Sequence, residues 1–473
     1  MPSELREALT AAGASALVPK IIDPMLLEYQ RRYSPLLRSI PSVKWAADSY
    51  YWNQRTINPN GGFVTDGGAR TVQNSTYVQN SFAMKHFQIV GAITGYSEEV
   101  TRQVIASLRA KEIEGSIQGM MWDIEHALIW GNAGSTNFGA YPQFDGFDSL
   151  VSTYSGSNQN ALDYAGAALT LASLDELADM VETNAAMSVF DTSWMFVLSN
   201  TAASKVAQLL TNQQRFVDSV EIAAGLTVAT YRGIPLIKSS FLSNRTTQMG
   251  TVTSATATTG GTLAAGTYRY QVTAVIARQG EIAAPAEVAQ VTTGATSTVT
   301  LSFSTPSGLD GLQPTLYKVY RSALGGAAGT ETLLGVVDAT VGLGADGITP
   351  ILTTSIVDTG ATLIPQNGAT QPATFPATYQ GTNVNKFPSL AYSASGGSAG
   401  SGTSTAGNTE NIYLMARDEN FLCRPYVRDL HPVDIFPTTT SPDALPYALI
   451  TDCVLALRAP KYMGGLYRVA TRV

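Results

Sequence analysis

The side chains in this sequence that could do chemistry are few, and their spacing argues against catalysis. His86, His126 and His431 are the only histidines. No HExxH pair and no Cys/His alternation surrounds them, so a histidine-based metal site is not expected. No GxxxxGK[ST] loop is present to cradle a phosphate. Asp175, Asp179 and Glu182 fall on one predicted helix, where a solvated face explains the carboxylates better than an acid-base pair. Cys423 and Cys453 read as two reduced, buried thiols rather than a disulfide. Gly115 and Gly119 form a GxxxG, but Lys111, Glu112 and Glu114 beside it mark close packing or a bend, not a membrane dimer. The expectation is a chain that is not an enzyme and takes no metal and no cofactor.

What the sequence does offer is material for contacts between subunits. Charged residues make up only 14 % of the 473 positions, against roughly 25 % in an ordinary soluble domain. Such a deficit means a neutral surface or a surface hidden against other subunits, because interface cores are depleted in charge. Arg55 and Arg70 on a predicted hairpin, and Arg102, Arg109 and Lys111 on a predicted helix, are the charges expected to pair between subunits. Tyr50, Tyr51, Trp52 and Phe63 are the aromatics expected to dock on a neighbour. A net charge of -7 gives no basic footprint for sequence-specific nucleic-acid binding. No run of 18 apolar residues occurs and no basic start precedes an apolar stretch, so a soluble chain without a secretory signal or membrane segment is expected.

The elements that position these residues follow one another along the chain. Residues 1–44 read as an N-terminal arm, cut by prolines at positions 19, 24, 35 and 41 into pieces too short to own a core. Residues 45–95 read as an extended β-hairpin: an aromatic limb ADSYYWNQRTI, the turn-rich tip NPNGGFVTDGGA, and a second limb from Thr76 to Ile93. Ser97 to Asn132 then reads as one long helix, capped by Ser97, with acidic Glu98 and Glu99 at its start and Gly131-Asn132 as a stop. Val100, Val104, Leu108, Ile117, Met121, Ile124 and Leu128 form its apolar stripe.

Residues 161–244 read as a compact α/β region, with Ser173 and Glu176 as the capping box of the helix LDELADMVETN, the buried strand DTSWMFVLSN, the helix TAASKVAQLLTNQQR and the strand YRGIPLIKSSFL. Residues 245–365 turn to Thr, Ala, Gly, Ser and Val in short alternating runs, the pattern of a β-sandwich. Tyr268, Tyr270, Tyr317 and Tyr320 could there present a glycan-binding surface, but period-two spacing makes them strand residues with part of the set in the core. Residues 366–473 hold the low-complexity run SASGGSAGSGTSTAGN and then strands that close the earlier sheet.

This order of parts, with its WGN...YPQFDGF loop, its YRGIPLIKSS strand and a C-terminal LALRAP, resembles the major capsid proteins of tailed bacteriophages of the Hong Kong 97 type. The resemblance covers residues 1–243 and 366–473. It implies an α+β fold with an N-terminal arm, an extended loop at 45–95, a peripheral domain with the spine helix at 96–160 and an axial domain at 161–244. Residues 245–365 resemble an inserted immunoglobulin-like or fibronectin type III-like domain, and 366–473 return to the axial and peripheral domains.

The function it implies is self-assembly of pentamers and hexamers into an icosahedral head enclosing double-stranded DNA without sequence-specific binding. Portal and scaffolding proteins are the implied partners, with assembly in the host bacterial cytoplasm and residence in the virion. Some members of the family crosslink through a lysine on the extended loop. Here Trp45 to Met84 contains none, so crosslinking by that route is not expected. Two other readings remain: a glycan- or host-surface-binding adhesin carrying a β-sandwich, and an encapsulin-like nanocompartment shell.

Overall fold

The computed structural model describes residues 35–66, 68, 72–102, 107–131, 133, 136–137, 141–154, 160–164, 167–191, 193–212, 219–223, 226–242, 249–277, 280–282, 284–306, 313–343, 350–360, 409–434, 443–458 and 460–471. The N-terminal arm up to residue 34 and the low-complexity run lie outside them, as does Arg70. The chain is mixed α and β and forms two compact units. One comprises Met1–Arg31, Ile89–Ile117 and Pro432–Leu449; the other comprises Arg32–Gln88, Gln118–His431 and Ile450–Val473. The strands Lys85–Thr94, Leu422–Asp434 and Ala444–Cys453 and the helix Leu108–Trp130 run through the boundaries, and each part is described with its own unit.

In the smaller unit, Gly91 lies under the Tyr447 ring so closely that a Cβ would sit 2.5 Å from it. The Tyr447 hydroxyl shares a 2.8 Å hydrogen bond with Ser116. The expected single helix is two helices, Gly95–Thr101 and Leu108–Trp130. Thr94, not Ser97, is the N-cap of the first, its side chain accepting from the Ser97 amide. Glu98 accounts for the start of the second: its carboxylate accepts from the Ser107 hydroxyl at 3.0 Å and the Arg109 amide at 2.9 Å. A carboxylate there satisfies an orphan amide and complements the positive end of the helix dipole. Val100, expected on the apolar stripe, is exposed.

In the larger unit, a seven-stranded sheet runs in the order Ala161–Asp163, Met463–Ala470, Thr409–Ala416, Trp194–Leu198, Ile234–Lys238, Leu226–Tyr231 and Ser219–Ala223. Trp194–Leu198 is buried at every position, which is why it reads as a continuous apolar run. It pairs parallel with Ile234–Lys238 and antiparallel with Thr409–Ala416, so the C-terminal strands do close the sheet. The expected single YRGIPLIKSSFL strand is instead the end of one strand, a two-residue turn and a second strand. Arg232 and Gly233 both take positive φ, 50° and 89°, the conformation that a tight hairpin turn requires. Helices Leu171–Ala185 and Asn200–Asn212 bury Leu174, Leu177, Val181 and Val206 in the same core as Trp194 and Phe196.

Thr170, rather than Ser173, caps the first of these helices. Its hydroxyl accepts from the Ser173 amide, and Ser173, not Glu176, returns the bond at the third position. Residues 249–360 form a three-stranded sheet, Thr253–Ala257, Thr298–Ser302 and Ser355–Asp358, and a five-stranded one centred on Gly266–Ile276 and Pro314–Arg321. Val299, Leu301 and Ile356 from the first share one core with Tyr270, Val272, Ala274, Val319 and Val337 from the second.

Candidate assembly surface

Ser49–Ile57 and Thr76–Ala83 make the hairpin, with Tyr50 opposite Phe82 and Trp52 opposite Asn80. The hairpin ends at Ala83; the next strand, Lys85–Thr94, belongs to another sheet, so the second limb is shorter than its β-propensity suggested. Within the larger unit the base of the hairpin is fixed by packing around Arg458. Tyr50 is buried, in edge contact with Trp45 at 4.8 Å between ring centroids. Its hydroxyl accepts from the Arg458 guanidinium, whose carbon lies 5.6 Å from the ring. Burial, with Cys423 close by, pushes the Tyr50 hydroxyl above its ordinary pKa. The Trp52 indole N–H donates to the Arg458 carbonyl at 3.2 Å, and its ring stacks on Phe82 at 5.0 Å.

Beyond this anchor the hairpin exposes apolar side chains. Tyr51, Ile57, Val64, Val72, Tyr77 and Val78 are all exposed, and Phe63 at the tip is fully so. Arg55 covers part of the Tyr77 ring at 5.6 Å and donates to Asn58. A two-stranded ribbon gains little from its own packing, and apolar surface gathered on one projection marks an interaction site.

The expected contact residues therefore divide. Tyr51, Phe63 and Arg55 are presented on the hairpin, Trp52 is half-buried at its base, and Tyr50 is an anchor inside its own chain. In the smaller unit, Val90, Tyr96 and Val100 are exposed. Arg102 pairs with Glu99 at 3.2 Å and Lys111 with Glu114 at 2.8 Å, one helical turn apart in each case. The Arg109 side chain is half-buried. Sequence reasoning missed Ile57, Tyr77 and Val78, although their place on a two-stranded ribbon was the available signal.

The residues considered for chemistry have structural roles. His86 hydrogen-bonds Asp452 through Nδ1 at 2.7 Å, and Arg428 holds the same carboxylate. Burial raises the Asp452 pKa, but the bonds from Arg428 and His86 outweigh it and leave it below the ordinary value. Asp175 is not merely solvated. It accepts from the Tyr231 hydroxyl and from Arg232, both at 2.8 Å, tying its helix to the Arg232-Gly233 turn. Cys423 and Cys453 are buried free thiols, and burial pushes both upward in pKa. Among the described residues no cluster of His, Cys, Asp and Glu could hold a metal, and no helix is long and apolar enough to cross a membrane. Tyr268, Tyr270, Tyr317 and Tyr320 are all buried, so they present no glycan-binding face.

Residues 22–248 match the family model of the SU10 major capsid protein. That match supports a phage major capsid protein. The match takes in the hairpin, both helices after it and the first part of the α/β core, and it ends where the two-sheet region begins. Its function is that of a structural capsid protein of the phage head. No curated protein matches it.

Solved structures with some likeness include the capsid of cyanophage A-1(L), 9 % identical over 98 % of this chain and 99 % of that one, with a TM-score of 0.48. Gordonia phage Cozz is 10 % identical over 99 % and 96 %, with a TM-score of 0.45. The SrpI encapsulin complex from Synechococcus elongatus PCC 7942 is 11 % identical over 98 % and 97 %, with a TM-score of 0.44.

Proposed function

We propose that the capsid protein has the Hong Kong 97-type fold and builds a closed icosahedral head around double-stranded DNA from pentamers and hexamers of itself, using the hairpin as its main reach to a neighbour. The observation that carries this is the anchored hairpin whose outer part is apolar and exposed on both limbs, on a chain whose matched family forms capsids. Obligate interfaces of this kind bury about 2,000–5,000 Å². The apolar part of that area, at about 25 cal/mol per Å², offsets the cost of ordering the participating segments.

On this reading Tyr51, Trp52 and Phe63 dock on the neighbour, while Arg55, Arg70, Arg102, Arg109 and Lys111 set register more than strength. Exposed pairs contribute only about 0 to 1 kcal/mol each. Residues 245–365 are the inserted immunoglobulin-like domain on the outer face, and scaffolding and portal proteins act during assembly in the host cytoplasm. The protein's role is structural rather than enzymatic. Deleting residues 57–70 should leave a soluble, folded protein by circular dichroism that forms no shells in electron micrographs. Shells of normal size from that deletion would refute the docking role of the hairpin.

A further inference from the structure

Lys318, Asp148 and Glu281 meet in the interior of the larger unit, brought together from three distant parts of the chain. Lys318 lies on the strand Pro314–Arg321, Asp148 on the helix Phe147–Tyr154 and Glu281 on the short strand Gly280–Glu281. The Lys318 Nζ is 2.5 Å from Asp148 Oδ2 and 3.1 Å from Glu281 Oε2. All three side chains are sealed from solvent, at 4 %, 6 % and 1 % exposure. The Trp130 ring lies 5.0 Å from Nζ. The Tyr413 hydroxyl donates to Asp148 Oδ1 at 2.9 Å. The hydroxyls of Tyr320 and Thr273 donate to Glu281 Oε1 at 2.7 and 2.5 Å.

We propose that this site forms an intramolecular isopeptide bond between Lys318 Nζ and Asp148 Cγ, with Glu281 as the proton-transferring catalytic residue. The fold holds the Lys318 nitrogen in direct contact with the Asp148 carboxyl group, which removes the entropic cost of bringing nucleophile and electrophile together. Lys318 begins as an ammonium ion: burial pulls its pKa down, but the charges of Asp148 and Glu281 outweigh that. Burial raises the Glu281 pKa against the opposing pull of Lys318, and its carboxylate oxygens accept from Lys318, Tyr320 and Thr273, which places a proton acceptor beside the nitrogen.

The reaction starts when the ammonium passes a proton to the Asp148 carboxylate along the short contact. This gives a neutral amine and a neutral acid, the forms that react, in a site whose low dielectric lessens the cost of giving up the two charges. The amine lone pair then attacks Cγ. Negative charge gathers on Oδ1, where the Tyr413 hydroxyl already donates. Glu281 takes a proton from the attacking nitrogen and supplies one to Oδ2, which leaves as water. One C–N bond forms, one C–O bond breaks and one water is released. Nothing is oxidised or reduced, and no other reactant is required. The product joins the two-sheet region to the core helix through an amide and removes two buried charges.

The test uses the full chain, unassembled, so it does not depend on the shell reading. Its intact mass in denaturant should be lighter than the sequence mass by one water, and digestion should yield a branched peptide carrying both Asp148 and Lys318. Glu281→Gln keeps the volume but cannot accept the proton, and should show the full sequence mass with an unchanged circular dichroism spectrum. Lys318→Arg keeps the positive charge and supplies an uncrosslinked reference that serves even if Glu281→Gln does not fold. Wild-type protein at full mass, with the two peptides separate, overturns the proposal. A branched peptide in Glu281→Gln would overturn the role given to Glu281.

Discussion

Glu331 shows how far a single buried carboxyl can shape the behaviour of this protein. Its side chain is fully buried, with the Glu287 carboxyl beside it. Burial, and then the neighbouring Glu287, lift its pKa to about 7, against an opposing pull from Arg468. A folded-state pKa raised above the unfolded value means that folding favours the protonated form. Its favourable share is complete below the unfolded value near 4.5 and is lost as pH rises through about 7. The Tm of the wild-type protein should therefore fall between about pH 5 and pH 8 by more than that of Glu331→Gln, a difference on the order of 1–3 kcal/mol. Thermal melts at the two pH values check it, and parallel curves for the two proteins would show that Glu331 ionises without cost.

At the scale of elements, the helix Leu171–Ala185 offers a direct comparison between sequence pattern and structure. Ser173 and Glu176 fit a capping-box spacing, yet Thr170 is the cap and Glu176 instead accepts from the Tyr164 hydroxyl at 2.5 Å. Thr170→Ala should cost about 1 kcal/mol, visible as a lower Tm. Glu176→Gln should leave the helix content by circular dichroism unchanged. The existence of this helix, of the buried strand Trp194–Leu198 and of the hairpin was legible because each carries a strong local period or an unbroken apolar run. The divided helix was not. Residues 102–107 contain neither glycine nor proline, and the device that starts the second helix is the carboxylate of Glu98, a contact that periodicity does not encode. The burial of Tyr50 was equally hidden, because its partners Cys423 and Arg458 lie 373 and 408 positions away. Local pattern marked the aromatic limb but not which of its rings faces inward.

For the molecule as a whole, both flanks of residues 246–364 belong to one α/β core, an arrangement in which the stretch between them would be expected to come out with the core fold preserved. Three contacts in the larger unit argue otherwise. The Lys318 partner of Asp148 would be gone, and with it the positive charge beside that buried carboxylate. Gly280, at φ 107°, packs against the Phe241 carbonyl and the Trp130 indole, where a Cβ would collide with both. The Trp130 N–H donates to that same Phe241 carbonyl at 2.9 Å, so the contact continues into the core. Leaving a buried carboxylate without the lysine that neutralises it, whether as an ion pair or as an amide, costs about 3–5 kcal/mol, a large part of a typical stability of about 5–15 kcal/mol. Simple excision should accordingly give protein with a much lowered Tm or little soluble yield. The same excision carrying Asp148→Asn should recover part of the loss, because a neutral amide is cheaper to bury than a carboxylate that has lost its lysine. If excision alone melts at the same temperature as excision with Asp148→Asn, then Asp148 does not make the core depend on the two-sheet region, and the burden of that dependence moves to the Gly280 and Trp130 packing.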